Sequence, residues 1–229
     1  MKVVVSLGGS VLAPDLESDR VDAYADVIEG LAEDGHRVGV VVGGGSVARE
    51  YITTARELGA NEIQLDQLGI GVTRLNARLL VAALGERAAP TPPETYEDAG
   101  AALHRGDVPV MGGVAAAQTT DAVSAALAEY VDAELLVYAT SVPGVFDADP
   151  NEDDGATKFE TLSPEELVDV IAGIEMAAGS NAPVDLLAAK IIQRAGLHAV
   201  VLDGSDPSAV ERVVREGAHE GTEISPGGE

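Results

Sequence analysis

The chain has 229 residues, 46% of them apolar, 3% aromatic and none cysteine. Its core is therefore aliphatic, and disulfides and thiolate metal sites are excluded. A formal net charge of −25 excludes nucleic acid and anionic membrane surfaces as partners, since both need basic surface.

The apolar run Val3-Val4-Val5-Ser6-Leu7 ends in Gly8-Gly9-Ser10, and Val38-Gly39-Val40-Val41-Val42 ends in Gly43-Gly44-Gly45-Ser46. Runs of this composition predict strands buried on both faces of a parallel sheet. Glycines directly after them let backbone N–H groups approach a ligand. A helix starting next adds unpaired donors and a positive dipole end, which suit phosphate. Between the two runs, Val21, Tyr24, Ile28 and Leu31 fall at helical spacing and Gly35 ends that helix. Ser46 is placed to cap the next helix, with Val47, Tyr51, Ala55 and Leu58 on one face and Gly59 past its end. A long helix over residues 66–84 turns Leu68, Val72, Leu75 and Leu79 inward. Short strands are predicted near residues 87–90, 108–111, 135–139 and 199–202. Helices are predicted near 95–104, 121–130, 183–196 and 207–216. Ser163-Pro164-Glu165-Glu166 reads as a capping box with proline at the first helical position. Residues 147–157, rich in Asp, Asn, Pro and Gly, form the candidate linker, and residues 225–229 read as a frayed tail.

This alternation predicts an α/β fold, a three-layer αβα sandwich with a mainly parallel central sheet. Ligands of such sheets bind beyond the carboxyl ends of the strands, where both glycine turns lie. No apolar run of membrane-spanning length appears and a strand begins at the N-terminus, so the chain reads as a soluble cytoplasmic protein.

Gly43-Gly44-Gly45-Ser46-Val47-Ala48 also fits the dinucleotide pattern G-x-G-x-x-A, with Asp66 at about the spacing of the acidic residue, and no Walker P-loop occurs. Arg49 lies near the start of a helix, where the dipole disfavours a cation, so an anionic ligand explains it better than a solvated face does. Val110-Met111-Gly112-Gly113 with Gln118-Thr119-Thr120-Asp121 gives a third strand-to-glycine turn, whose threonines also suit a plain helix cap. Residues 140–150, from Thr140 through Phe146 to Pro150, follow a strand, and Phe146 reads either as a cover for an adenine or as part of a plain loop. Lys190, one of three lysines among fourteen basic residues, stands in the apolar run Leu186-Leu187-Ala188-Ala189-Lys190-Ile191-Ile192, either as a snorkelling surface residue or as a functional cation. The four histidines have no metal-ligand spacing.

Taken in order, these segments resemble the amino acid kinase family, and within it the archaeal-type uridylate kinases. The matching stretches are Leu7-Gly8-Gly9-Ser10-Val11-Leu12, Val41-Val42-Gly43-Gly44-Gly45 with Ala48-Arg49, and Gly69-Ile70-Gly71-Val72-Thr73-Arg74-Leu75-Asn76-Ala77. They continue with Pro109-Val110-Met111-Gly112-Gly113, Thr119-Thr120-Asp121-Ala122-Val123, Gly144-Val145-Phe146-Asp147-Ala148-Asp149-Pro150, Leu187-Ala188-Ala189-Lys190-Ile191-Ile192 and a closing strand at Gly221-Thr222-Glu223-Ile224.

The resemblance implies one domain over residues 1–229, with an acceptor-binding part over roughly 1–135 and an ATP-binding part over roughly 136–229. It implies transfer of the ATP γ-phosphoryl group to UMP with Mg2+, no metal-ligating residue of the chain being singled out. By the same resemblance Gly9, Ser10, Gly45 and Arg49 handle the ATP phosphates, and Thr140, Phe146 and Asp149 line its adenosine end. Gly44, Asp66, Val114, Ala115, Ala116, Ala117, Gln118, Thr119 and Thr120 hold UMP, with Asp66 on the ribose hydroxyls. Asp121 and Lys190 are the catalytic pair, and a homo-oligomer, a hexamer built from dimers, is implied. The chain departs from many members at Ser6, where they carry a lysine; Lys2 is badly placed to replace it. Isopentenyl phosphate kinases carry a histidine after the second glycine turn, absent from Val47-Ala48-Arg49-Glu50, and amino acid kinases differ around residues 109–120. A non-catalytic nucleotide-binding protein on the same scaffold is the reading from another class.

Apolar periodicity this regular is not that of a disordered acidic chain, and adaptation to very high salt accounts for the carboxylates. Their repulsion is screened there, the Debye length falling to roughly 3 Å at 1 M. The thermal midpoint is expected to rise between about 0.1 M and 3 M KCl; an unchanged midpoint would contradict the assignment.

Overall fold

Alternate side chains of β1 (Lys2–Leu7) enter two different cores, which is why the strand reads as continuously apolar. Val3, Val5 and Leu7 point to one face of the sheet and Val4 to the other. The computed structural model describes residues 1–148, 150, 153, 155–175 and 183–227. In chain order β1 is followed by α1 (Gly9–Leu12), α2 (Ser18–Glu33), β2 (Arg37–Val42), α3 (Gly45–Glu57), α4 (Glu62–Leu84), α5 (Tyr96–Arg105), β3 (Val110–Met111) and α6 (Thr120–Val131). Then come β4 (Leu135–Thr140), β5 (Thr161–Leu162), α7 (Pro164–Glu175), α8 (Leu186–Ala195), β6 (Ala199–Asp203), α9 (Ser208–Glu216) and β7 (Thr222–Ile224).

These strands form one sheet in the order β3-β2-β1-β4-β6-β7-β5. All pairings are parallel except β6 with β7. Helices α2, α4 and α9 close one face around Tyr24, Ile28, Leu80 and Val213. Helices α5, α6, α7 and α8 close the other around Ala99, Leu127, Leu167 and Ile192. The result is the expected αβα sandwich.

Strand order reverses between β1 and β4, and ligands of such sheets occupy the crevice at that point. Leu7 stands level with Val42 on one side and with Ala139 on the other, so the turns after β1, β2 and β4 leave the sheet at one height. Gly8 donates its N–H to Ala139 O (3.0 Å) and Gly43 donates to Leu7 O (2.8 Å), which stitches the three turns together. The first two also press backbone on backbone. A Cβ on Gly9 would lie 2.3 Å from Gly45 N and 2.5 Å from Gly43 O, and Gly45 has a φ of +65°.

Several expectations need correction. The first turn opens only the single helical turn of α1, so a long helix dipole stands behind the second turn alone. Ser46 does not cap α3: it lies inside the helix, and its hydroxyl donates to Pro14 O (3.3 Å). α3 packs on α4 and α1 and not on the sheet, so Ala48 is its buried residue while Tyr51 and Leu58 are exposed. α4 starts at Glu62, capped reciprocally by Asn61 and Gln64. It turns Leu65, Val72, Thr73, Asn76, Ala77, Leu80 and Leu84 inward. Of the predicted inward residues only Val72 is buried, and Leu68, Leu75 and Leu79 face out. The strand expected at 87–90 reduces to one bridge between Ala88 and Val108, because Pro90, Pro92 and Pro93 have no N–H to extend a ladder. At the ends of the candidate linker Asp147 N donates to Thr157 O and Thr157 N to Asp147 Oδ1; residues 149, 151, 152 and 154 within it lie outside the described residues. Asp149, Gly228 and Glu229 lie outside the described residues.

Other boundaries fall close to those predicted. Thr95 caps α5, and Ser163 with Glu166 forms the capping box before α7. α4 is long and apolar enough on average to cross a membrane, yet its inward face carries Thr73 and Asn76 into the fold.

Gly9→Ala forces the two turns apart by overpacking, at a cost of roughly 1–3 kcal/mol or more. The expected result is a lower thermal midpoint at fixed KCl; an unchanged midpoint would show that the turns do not clamp one another.

Candidate active site

Beyond the carboxyl ends of β2 and β3 lies a cleft of about 490 Å3, within the range typical of small-ligand sites. Its lining includes Gly44, Gly45, Arg49, Asp66, Ala117, Gln118, Thr119 and Thr120, residues far apart in sequence. All of them were predicted site residues. Ile52, Gly69, Ile70 and Thr73 add apolar wall from α3 and α4.

Arg49 is exposed at the cleft and has no ion pair among the described residues, although acidic residues outnumber basic ones 39 to 14 in this chain. An arginine left unpaired amid so many carboxylates, above the dipole end of α3, is placed to bind an anion. Asp66 accepts from the backbone N–H of Ala117 through Oδ2 (2.8 Å). The bond meets Ala117 at a φ of +62°, unusual for a residue with a Cβ, and the other carboxylate oxygen of this cleft-lining residue has no partner among the described residues. Gln118 accepts from Tyr96 Oη (3.4 Å). Thr119 caps α6 by accepting from Ala122 N (3.1 Å), whereas the Thr120 hydroxyl has no partner among the described residues. Val114 packs into the core beside α5 and α6, while Ala115 is exposed.

Sequence reasoning assigned no role to the two side chains that hold this cleft open from below. Asn76 is buried on α4 and donates through Nδ2 to Gly43 O (2.9 Å) and Gly44 O (3.3 Å). Thr73 Oγ1, one helical turn earlier, donates to Ile70 O (2.7 Å) and accepts from Gly113 N (2.7 Å). The second and third glycine turns therefore both hang from α4. Two polar residues on the inward face of an otherwise apolar helix were the available clue, since buried polar groups need partners.

Asp121 lies in the first turn of α6, where its carbonyl accepts from Tyr138 Oη (2.9 Å). Burial first, and then the neighbouring Asp185 carboxylate, push the Asp121 carboxyl up to about 7; a hydrogen bond from the Asp185 backbone pulls it back only partly. Tyr138 is pushed well above its usual range by burial and by the same two carboxylates. Lys190 does not join this group: it is exposed on α8, with Nζ 3.5 Å from Gln193 Oε1. Lys2 is excluded as a substitute for the cation missing at buried Ser6, since its amine bonds Val131 O and faces Asp132 at the opposite end of β1.

Gly9 reaches the cleft only by backing onto Gly45, and Ser10 is partly exposed beside it. Thr140 holds its own turn, its hydroxyl donating to Val142 O (2.9 Å) and accepting from Val142 N (3.1 Å). Phe146 is partly exposed and bridges to Lys158. A second cavity of about 490 Å3 beyond β6 is lined by Pro143, Asp203, Ser205, Asp206, Arg212 and His219 among others, and by none of the predicted ATP-binding residues.

The raised Asp121 carboxyl has a consequence for stability. A carboxyl with a folded value near 7, above its unfolded value, contributes stability that is present at low pH and lost as pH rises through 7. Asp121→Asn removes that loss. Its thermal midpoint in the nucleotide-free protein should exceed the parent's at pH 8 by several degrees, and the difference should shrink towards pH 5. A difference independent of pH would overturn the assignment.

The amino acid kinase family model matches residues 1–203 of the chain. A uridylate kinase from Haloarcula marismortui is 68% identical over 226 residues, which cover 99% of each chain. One from Halobacterium salinarum is 67% identical over 228 residues, 100% of this chain and 95% of that one. The crystal structure of uridylate kinase from Archaeoglobus fulgidus superposes with a TM-score of 0.89 at 44% identity, covering 98% of this chain and 100% of that one.

Proposed function

The chain belongs to the amino acid kinase family, and we propose that it transfers the γ-phosphoryl group of ATP to UMP, giving UDP for pyrimidine nucleotide synthesis. The observation that carries this reading is the convergence of Arg49, Asp66 and Thr120 on one cleft floored by Gly44 and Gly45, in a chain whose full-length relatives bear the uridylate kinase name. UMP offers a phosphate and two ribose hydroxyls. Gly44 and the Thr120 hydroxyl suit that phosphate, the free Arg49 guanidinium and the N–H groups at the start of α3 suit the ATP phosphates that meet it, and the Asp66 carboxylate suits the hydroxyls.

The attacking atom is already a phosphate oxygen, so no general base is required, and catalysis consists of alignment and charge neutralisation. Gly9, Ser10, Gly45 and Arg49 grip the ATP phosphates, while Thr140, Phe146 and Asp149 take the adenosine end. Gly44, residues 114–120 and Asp66 hold UMP. The first 135 residues thus bear most of the acceptor site, and residues 136–229 bear the adenosine end and Lys190. Lys190, bonded among the described residues to Gln193, turns towards the transferred phosphoryl group. Asp121 fixes the charge and orientation of the groups around it.

Among the described residues no three carboxylates or histidines converge to hold a metal. By the family resemblance Mg2+ would enter with ATP. The chain then holds the ion indirectly, through the N–H groups that grip the ATP phosphates. Once bound, the ion neutralises phosphate charge.

The protein is a homo-oligomer in this reading, a hexamer by family resemblance. Tyr51, Leu58, Ile63, Leu68, Leu75 and Leu79 are exposed on adjacent helices α3 and α4 and offer the apolar surface such assembly needs.

A coupled assay in high KCl, run with UMP, CMP and isopentenyl phosphate side by side, tests the substrate. UMP should give the highest kcat/KM; turnover of isopentenyl phosphate but not UMP would reject the reading. In the same assay Lys190→Ala should lower kcat at least about 10²-fold, as for loss of a transition-state donor. A near-normal kcat would remove Lys190 from the machinery.

A further inference from the structure

One carboxylate joins the starts of two helices. Asp185 precedes α8, and its Oδ1 accepts from the backbone N–H groups of Leu187 (2.7 Å) and Ala188 (3.0 Å), a complete N-cap. Its Oδ2 accepts from Thr119 Oγ1, and Thr119 is itself the cap of α6. The two capped starts therefore form a single hydrogen-bonded unit at the edge of the cleft, and α6 packs along α8. Asp121 lies in the first turn of one helix and Lys190 is the fifth residue of the other.

A cap alone does not require this residue. Asn, Ser or Thr would satisfy the first-turn donors of α8 about as well, without setting a second carboxylate against Asp121. The groups set against that pair are the Thr119 hydroxyl at the cap of α6, the Asp185 backbone at the start of α8, and Tyr138 from β4. None is a cation, and among the described residues neither carboxylate has an ion pair. Two carboxylates held together without a counter-charge are costly in the free chain. The arrangement makes sense if the loaded cleft supplies positive charge.

We propose that Asp185 is a positioning residue of the transfer reaction. It locks the start of α8, the helix that carries Lys190, to the start of α6, and its charge acts on the chemistry through Asp121 without touching either nucleotide. The proposal rests on the phosphoryl-transfer reading above and names a residue that the sequence analysis passed over.

Asp185→Asn separates the charge from the clamp. The amide oxygen can still cap α8, and the amide N–H can donate to the Thr119 hydroxyl. This variant should melt within a few degrees of the parent and keep KM for both nucleotides within about threefold. Its kcat should fall at least about tenfold, and the acid limb of its kcat–pH profile should move to lower pH by about one unit. Asp185→Ala also breaks the clamp and should lower the melting temperature and reduce kcat further. A parent-like kcat and acid limb in Asp185→Asn would reduce Asp185 to a helix cap and overturn the proposal. Carboxyl 13C titration of Asp121 in the nucleotide-free proteins gives a readout that needs no turnover. An Asp121 titration unmoved by Asp185→Asn rejects the coupling, whereas a parent that fails to phosphorylate UMP rejects the substrate assignment instead.

Discussion

The fold of the site depends on how closely two backbones approach. Where Gly9 faces Gly43, Gly44 and Gly45, a single added carbon would overlap three main-chain atoms within 2.5 Å. That closeness lets the turn after β1 and the turn after β2 present their N–H groups to one small volume. Level strand ends make the approach possible, since Leu7, Val42 and Ala139 are neighbours in register. In the proposed reaction these turns would offer main-chain donors, which need no reorganisation when charge develops on a phosphate.

The acidity of the chain sharpens the role of the few cations it keeps. Most arginines are tied to carboxylates, as Arg74 is to Glu94 and Arg215 to Asp34. Arg49 stands apart from them at the cleft. The surface pairs contribute little each, and less in concentrated salt. An arginine that meets its anion between backbone donors in a confined site is screened less, so function can persist where surface electrostatics fade.

The parallel sheet and most helix positions were legible in the sequence because they follow from local rules, whereas the predicted residues that line the cleft were named by the family resemblance. β-branched runs make buried strands, glycines mark their ends, and threonine or aspartate marks a helix start. What was not legible depended on the third dimension. Leu68, Leu75 and Leu79 have faultless helical spacing, yet spacing alone does not say which side of an apolar helix meets the sheet; Thr73 and Asn76 decide that, by reaching for the carbonyl and N–H groups of the glycine turns. The segment at 87–90 pairs like a strand where Ala89 N–H meets Val108 O, but Pro90, Pro92 and Pro93 bring no donors to carry the ladder on. The link between Asp185 and Thr119 spans 66 residues and leaves no periodic trace.

Helix α4 shows its inner side to the glycine turns and its outer side, with Leu68, Leu75 and Leu79, to the surroundings. It is a shared wall between the cleft and whatever packs outside. Any association that fixes the register of this helix also selects one arrangement of the turns beneath it, and a nucleotide that selects that arrangement favours the association in return. In an oligomer packed on this wall, nucleotide affinity and subunit concentration would be linked variables, joined through Thr73 and Asn76.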